Sequence, residues 1–226
     1  MLEISFLEQT LLLYPERALY HKDQQTLLIS DLHLGKSATF RASGIPVPEG
    51  SDDADLQRLT QLLEQTSADR LLILGDLIHA KAGNTELLHN KLNHWRRKHR
   101  ELQIVLVVGN HDVSAGEIPA EWKIQTIHDD LENPPFVFSH HPRENHSYYN
   151  LAGHLHPKIF VRVDQYKSMK VACFYFGISS GILPAFGSFT GNALISPECN
   201  AKVYGIMDNE VVRLPQQILK KGQHSV

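Results

Sequence analysis

Three short aliphatic runs divide the first half of the chain: Leu27-Leu28-Ile29-Ser30, Leu71 to Leu74, and Ile104 to Val108. Each is too short for a helix and lacks polar alternation, the pattern of a strand buried on both faces. Longer segments with helical spacing separate them. After a Gly/Pro-rich loop, Ala42 to Gly50, Ser51 reads as an N-cap, with Asp52 and Asp53 in the first turn, where the helix dipole favours them. Leu56, Leu59, Leu62 and Leu63 then form one apolar stripe. Asn84 reads as the cap of a second helix, with Leu88, Leu92 and Trp95 on one face. The alternation of strand and helix predicts parallel pairing through right-handed crossovers.

The second half changes character. Phe136-Val137-Phe138-Ser139 is a further short strand, and the runs that follow lack helical spacing: Lys158 to Val163, Lys170 to Phe176, Ala201 to Met207 and Glu210 to Leu214. Asp208-Asn209 fits a two-residue hairpin turn. These features predict a more antiparallel second sheet. No internal repeat, low-complexity tract or linker interrupts the 226 residues, so residues 1–226 are expected to form one α/β domain.

Composition narrows the function classes. Apolar residues make up 42%, which argues against disorder. A net charge of −3 excludes a globally basic nucleic-acid binder, though not a local basic patch. Cys173 and Cys199 form no disulfide framework and fit a reducing compartment. Both are expected to be small buried hydrophobes. Met1 to Thr10 carries Glu3 and Glu8 and no basic stretch, unlike a signal peptide. The most apolar run, Ile104 to Val108, falls far short of the roughly 18 residues that span a bilayer. A cytoplasmic protein without membrane contact is therefore expected. Fourteen histidines direct attention to imidazole chemistry.

The unusual residues gather after the predicted strands, where open α/β sheets place their sites. They are Asp31-Leu32-His33, Gly75-Asp76, Gly109-Asn110-His111-Asp112, His140-His141-Pro142 and Gly153-His154-Leu155-His156. Carboxylate, amide oxygen and neutral imidazole suit Mn²⁺, Fe or Zn²⁺ better than Ca²⁺. An i, i+2 spacing in extended chain would aim Asp31 with His33, and His154 with His156, at one point. Glycines 75, 109 and 153 let backbone approach that point. Seven such ligands exceed the needs of one ion and suit two ions roughly 3.5–4 Å apart.

These motifs, in this order, resemble the calcineurin-like metallophosphoesterases, with their D-x-H, GD, GNH(D/E), H and GHxH segments. The resemblance implies a four-layer α/β/β/α sandwich of two mixed sheets flanked by helices. It implies a first metal on Asp31, His33, Asp76 and His156, and a second on Asp76, Asn110, His140 and His154, with Asp76 bridging. His140 comes first after its strand and is the expected ligand, with His141 the alternative. His111 would stabilise the substrate phosphate and protonate the leaving oxygen, while Asp112 would orient His111 and raise its pKa. Asn110, Lys36 and Arg41 would contact the substrate. The implied reaction is phosphodiester hydrolysis by a metal-bridging hydroxide, with two divalent ions, Mn²⁺ first and Fe or Zn²⁺ as alternatives.

Further segments resemble the ligase-associated DNA damage response endonuclease branch. They are Asp31 to Lys36 with Phe40-Arg41, Gly44 to Gly50, Gly153-His154-Leu155-His156-Pro157 and Leu183-Pro184-Ala185-Phe186-Gly187. That branch implies DNA as substrate, a repair context, and a DNA ligase, a helicase and a nuclease as partners. A phosphodiesterase or phosphomonoesterase of small, cyclic nucleotides is the alternative, and a non-catalytic scaffold ranks last because every ligand is present.

The remaining candidates have plainer readings. His21, His89, His94, His99, His128, His146 and His224 are isolated and read as structural or exposed. His79 and His141 stand between support of the site and plain surface. Trp95 to Arg100 reads first as a solvated helix end around a core Trp95, and second as a nucleic-acid patch. Tyr148 and Tyr149 fit base stacking or strand core equally.

Overall fold

A computed structural model describes residues 1–144, 147–162, 168–191 and 193–215. His146, Val163 and His224 lie outside the described residues. Its first sheet follows chain order: β1 (Leu2–Phe6), β2 (Gln9–Tyr14), β3 (Ala18–His21), β4 (Thr26–Ile29), β5 (Arg70–Leu74), β6 (Gln103–Val107) and β7 (Ile124–Ile127). Strands β1 to β4 pair antiparallel, and β4 to β7 pair parallel. Four α-helices punctuate this half: α1 (Lys36–Ala42), α2 (Ser51–Thr66), α3 (Glu86–Lys98) and α4 (Asn110–Ala115).

The second sheet comprises β8 (Leu131–Asn133), β9 (Phe136–Phe138), β10 (Tyr149–Ala152), β11 (Pro157–Arg162), β12 (Ser168–Phe176), β13 (Ser180–Ile182) and β14 (Ala193–Leu194). Its order is β14-β11-β12-β13-β10-β9-β8, and the hairpin of β15 (Lys202–Met207) and β16 (Glu210–Leu214) joins it at β12. The sheet is mixed rather than purely antiparallel, because β10 runs parallel to both β9 and β13. Asp208 and Asn209, both at positive φ, make the predicted two-residue turn.

Period-2 alternation explains the layering. Leu27, Ile29, Leu71, Ile73, Ile104 and Leu106 meet Leu56, Leu59 and Leu63 of α2 and Leu88, Leu92 and Trp95 of α3. The intervening Leu28, Leu72, Leu74, Val105 and Val107 meet Phe136, Phe138, Leu151, Phe174 and Phe176 of the second sheet. Each fully buried side chain of this size contributes about 1.5–3 kcal/mol. The parallel strands carry such residues on both faces, so they form a firm base for whatever rises from their ends. The outer face of the second sheet holds Ile159, Val171, Cys173 and Tyr175, covered in part by Ile195 and Ala201. All α-helices among the described residues precede Gly116, and α2 and α3 pack on the first sheet.

Three local expectations change. Gly50, at φ 99°, is the N-cap of α2, and Ser51 is its first helical residue. Thr85, not Asn84, caps α3, its side chain accepting from the Leu88 N–H. Cys173 is buried as expected, but Cys199 is exposed.

Candidate metal centre

The carboxyl ends of β4, β5 and β6 feed three turns that lie side by side. The Asp31 N–H donates to the Gly75 carbonyl at 3.1 Å, the His33 N–H to the Asp76 carbonyl at 2.8 Å, and the Leu34 N–H to the Leu77 carbonyl at 2.9 Å. These bonds extend the β4–β5 ladder past the strands and hold the two aspartates at one level. The chain here is not extended, as the i, i+2 argument assumed. Asp31, His33, Asp76, His154 and His156 all have φ between 48° and 66°. Each such non-glycine residue costs of order 1–3 kcal/mol and persists only where its surroundings over-determine it. Glycine is required at Gly75, where φ is 83° and a Cβ would lie 2.0 Å from His140 Nδ1. At Gly109 a Cβ would lie 2.2 Å from Asp76 Oδ1.

The side chains converge in two lobes that share Asp76. In one lobe, Asp31, His33 and His156 bring potential ligand atoms within 4.8 Å of one another. His33 Nε2 also lies 3.7 Å from Asp76 Oδ2. In the other lobe, His140 Nε2 lies 3.4 Å from Asp76 Oδ2, 3.0 Å from Asn110 Oδ1 and 3.1 Å from His154 Nδ1. Asp31, His33, Asp76 and His140 are all buried. His141, at the surface, lies against His154 with its ring tilted by 52° and centroids 3.9 Å apart, and with His140 and His154 it offers ligand atoms within 4.8 Å of one another.

The hydrogen bonds leave lone pairs pointing inward. His140 Nδ1–H donates to the Leu74 carbonyl at 3.0 Å, so its neutral form turns an unprotonated Nε2 toward Asp76 and Asn110. His156 Nδ1–H donates to the Gly191 carbonyl at 3.1 Å and likewise turns Nε2 toward Asp31 Oδ1, 3.1 Å away. His33 Nε2 and His156 Nε2 are buried without a hydrogen-bond partner. Lone pairs gathered against two buried carboxylates repel one another unless a cation or proton stands between them. Outer nitrogens anchored on backbone carbonyls are the arrangement that orients metal-binding histidines. The donor set therefore fits divalent ions.

Electrostatics follows this geometry. Burial pushes His33 down to about 3, with Asp76 opposing. Burial works to raise Asp76, but its hydrogen bond to His140 and the adjacent imidazole charge prevail and hold it at about 2. Burial depresses His140, and Asp76 reverses the balance and raises it.

His111 stands at the mouth, its side chain 37% exposed and its Nε2 4.0 Å from Asp76 Oδ2. The expected orientation by Asp112 is corrected here. The Asp112 carboxylate accepts the N–H groups of Asp76 at 2.8 Å, Gly109 at 2.9 Å and Ile78 at 3.0 Å. It therefore ties the second turn to the third. The group that holds the His111 ring is the His79 carbonyl, which accepts from Nδ1 at 2.7 Å. The His79 ring stacks on His111 at 4.7 Å, and its Nδ1 lies 3.3 Å from His33 Nδ1. Burial and the nearby Lys36 charge push His79 down to about 4.

Lys36 and Arg41 part company. The Lys36 ammonium interacts with Asp76 and Asp31, and burial lowers its pKa. Arg41 instead engages its own loop, at Glu49 Oε1 (3.5 Å) and the Val47 carbonyl (3.4 Å). Tyr149 lies in β10 and donates its hydroxyl to the Gly177 carbonyl, so it belongs to the core.

Two buried carboxylates and a ring of imidazoles at strand ends, in groups that could hold metal ions, make up the donor set of a metal centre. A family model for calcineurin-like phosphoesterases matches residues 25–220. The chain belongs to this dimetal family and is a metal-dependent phosphoesterase. Among solved structures, it is similar to the Pseudomonas putida nuclease MPE, with 33% identity and a TM-score of 0.82 over 94% of this chain and 99% of that one. A second match is the Escherichia coli phosphoesterase Yfce, with 14% identity and a TM-score of 0.40 over 84% of this chain and 97% of that one. No helix among the described residues is long and apolar enough to cross a membrane.

Proposed function

We propose that this protein hydrolyses phosphodiester bonds of DNA internally, in the setting of DNA repair, with Mn²⁺ as the working metal. The observation that carries the reading is the pair of donor lobes sharing Asp76, with the Nε2 atoms of His33 and His156 buried and unpartnered. The likeness to a nuclease over nearly the whole chain supports a polynucleotide substrate. Asp31, His33, Asp76 and His156 would hold one ion, and Asp76, Asn110, His140 and His154 the other. When bound, the ions supply an activated water and positive charge for the phosphoryl oxygens.

The chain's own residues do the rest. His111 presents Nε2 to the substrate, and its Nδ1–H rests on the His79 carbonyl. That acceptor fixes the ring so that Nε2 faces the leaving oxygen, to which it would give its proton. Lys36, which has no ion-pair partner among the described residues, faces the same centre and receives a non-bridging phosphate oxygen. Asp112 fixes the spacing of the turns that carry Asp76 and His111.

The test uses Mn²⁺-loaded protein on closed-circular single- and double-stranded DNA, with Asp76→Ala alongside. A circle has no ends, so cutting must be internal. Cutting by the parent and not by the variant is expected. Intact circles, with turnover of a small diester in the same tube, would overturn the DNA reading in favour of small nucleotides.

A further inference from the structure

The segment 183–191, which carries the Leu183-Pro184-Ala185-Phe186-Gly187 motif, touches the centre described above only through the Gly191 carbonyl on His156 and the Asp31 main chain, yet it is braced along its length. The Phe186 N–H donates to the Ser30 carbonyl at 2.8 Å, and the Gly187 N–H to the Asp31 carbonyl at 3.1 Å. The Ser188 N–H donates to the buried Asp55 carboxylate at 3.0 Å. The Arg58 guanidinium reaches the Phe186 carbonyl and lies 4.3 Å above the Phe186 ring. The far end is fixed where the Gly191 carbonyl accepts from His156 Nδ1.

What this framework holds out is Phe189. The residue is 40% exposed, and its ring meets Phe40 of α1 edge to face, with centroids 5.4 Å apart. Phe40 in turn lies 6.4 Å from the His79 ring, nearly parallel to it, and His79 stacks on His111. A continuous line of rings therefore leads from the catalytic mouth to an exposed phenyl on a rigid loop. An edge-to-face contact occupies one aromatic face at most, and Phe189 belongs to none of the hydrophobic clusters among the described residues.

We propose that Phe189, backed by Phe40, is a stacking platform for a nucleobase of the strand that carries the scissile phosphate. This deepens the reading of the protein as a DNA phosphodiesterase and rests on it. A strand whose phosphodiester is seated against His111 and Lys36 would run on along the line of rings toward Phe189. The base must leave its own stack to lie on the ring, and every base has a π-face, so the platform selects for a base without selecting its identity. Because the loop is held in advance, stacking orders no further chain.

The test compares two labelled single-stranded oligonucleotides with the same phosphodiester backbone. One holds a tract of thymidines, the other a tract of tetrahydrofuran abasic residues. The parent is expected to cut the thymidine tract with a kcat/KM on the order of tenfold or more above the abasic tract. Phe189→Ala should cut both at the abasic rate, and Phe189→Tyr should restore the preference. Phe189→Leu keeps bulk without a π-face, so it reads the same loss should the alanine variant fold poorly. A parent without preference, or an alanine or leucine variant that retains it, would overturn the platform alone. A parent that cuts neither tract while hydrolysing bis(p-nitrophenyl) phosphate would overturn the DNA reading on which it stands.

Discussion

Asp31 and Asp76 are buried carboxylates whose only ion-pair partners among the described residues are histidines. Imidazole can leave its charge off, so the pocket avoids the fixed pairing that lysine or arginine would impose. It keeps its oxygens for ions from outside. His111 differs from the other imidazoles in being partly exposed and in facing the centre from the rim. Its removal should therefore separate chemistry from metal holding. His111→Ala is expected to lose about 10²–10⁴ in kcat while still retaining its metal by elemental analysis, whereas Asp76→Ala should lose metal and activity together. A His111→Ala protein depleted of metal would show that the ring is a ligand.

The turns after β4, β5 and β6 are built so that backbone packs on side chain, and Gly75 is the tightest place. At φ 83°, with His140 Nδ1 2.0 Å from where a Cβ would stand, alanine must displace the ring that faces Asp76. Gly75→Ala is expected to weaken metal affinity by tenfold or more, the scale of misorienting a metal-holding histidine. An isothermal titration with Mn²⁺ that gave the parent's affinity would refute this. The strands beneath were legible in the sequence because Leu27 to Ile29, Leu71 to Leu74 and Ile104 to Val108 are aliphatic on both faces. Strands β1 to β3 were not. Leu11 to Tyr14 is apolar throughout, and such a run does not distinguish strand from helix. Asp112 was misread for a different reason. It follows His111 within α4, and adjacent helical residues do not face each other. The group that does meet His111 is a main-chain carbonyl at His79, which side-chain identity cannot reveal.

Among the described residues, burial lowers the pKa of histidines both inside the centre, at His33 and His79, and outside it, and His21 isolates a case that concerns folding. It is buried in β3, 5.6 Å from Phe136 and hydrogen-bonded to Gln9 Oε1, at a distance in sequence from every residue of the centre. Burial lowers its pKa below the ordinary 6.5, with Asp23 opposing. Above about pH 6.5 both folded and unfolded chains leave the ring neutral, and its contribution to stability is complete. As pH falls below that value, the unfolded chain takes up a proton that the folded chain refuses, and stability is lost toward the folded pKa. One such group contributes at most about 1.4 kcal/mol per pH unit. Urea unfolding in chelator, which removes the separate effect of ion release, should therefore show stability falling from pH 7 to pH 5.5. His21→Leu should be less stable at pH 7, because Gln9 loses its partner, yet its stability should fall less steeply over that interval. An unchanged slope would place the pH dependence in other imidazoles that burial holds neutral, such as His99 or His33 and His79 of the centre.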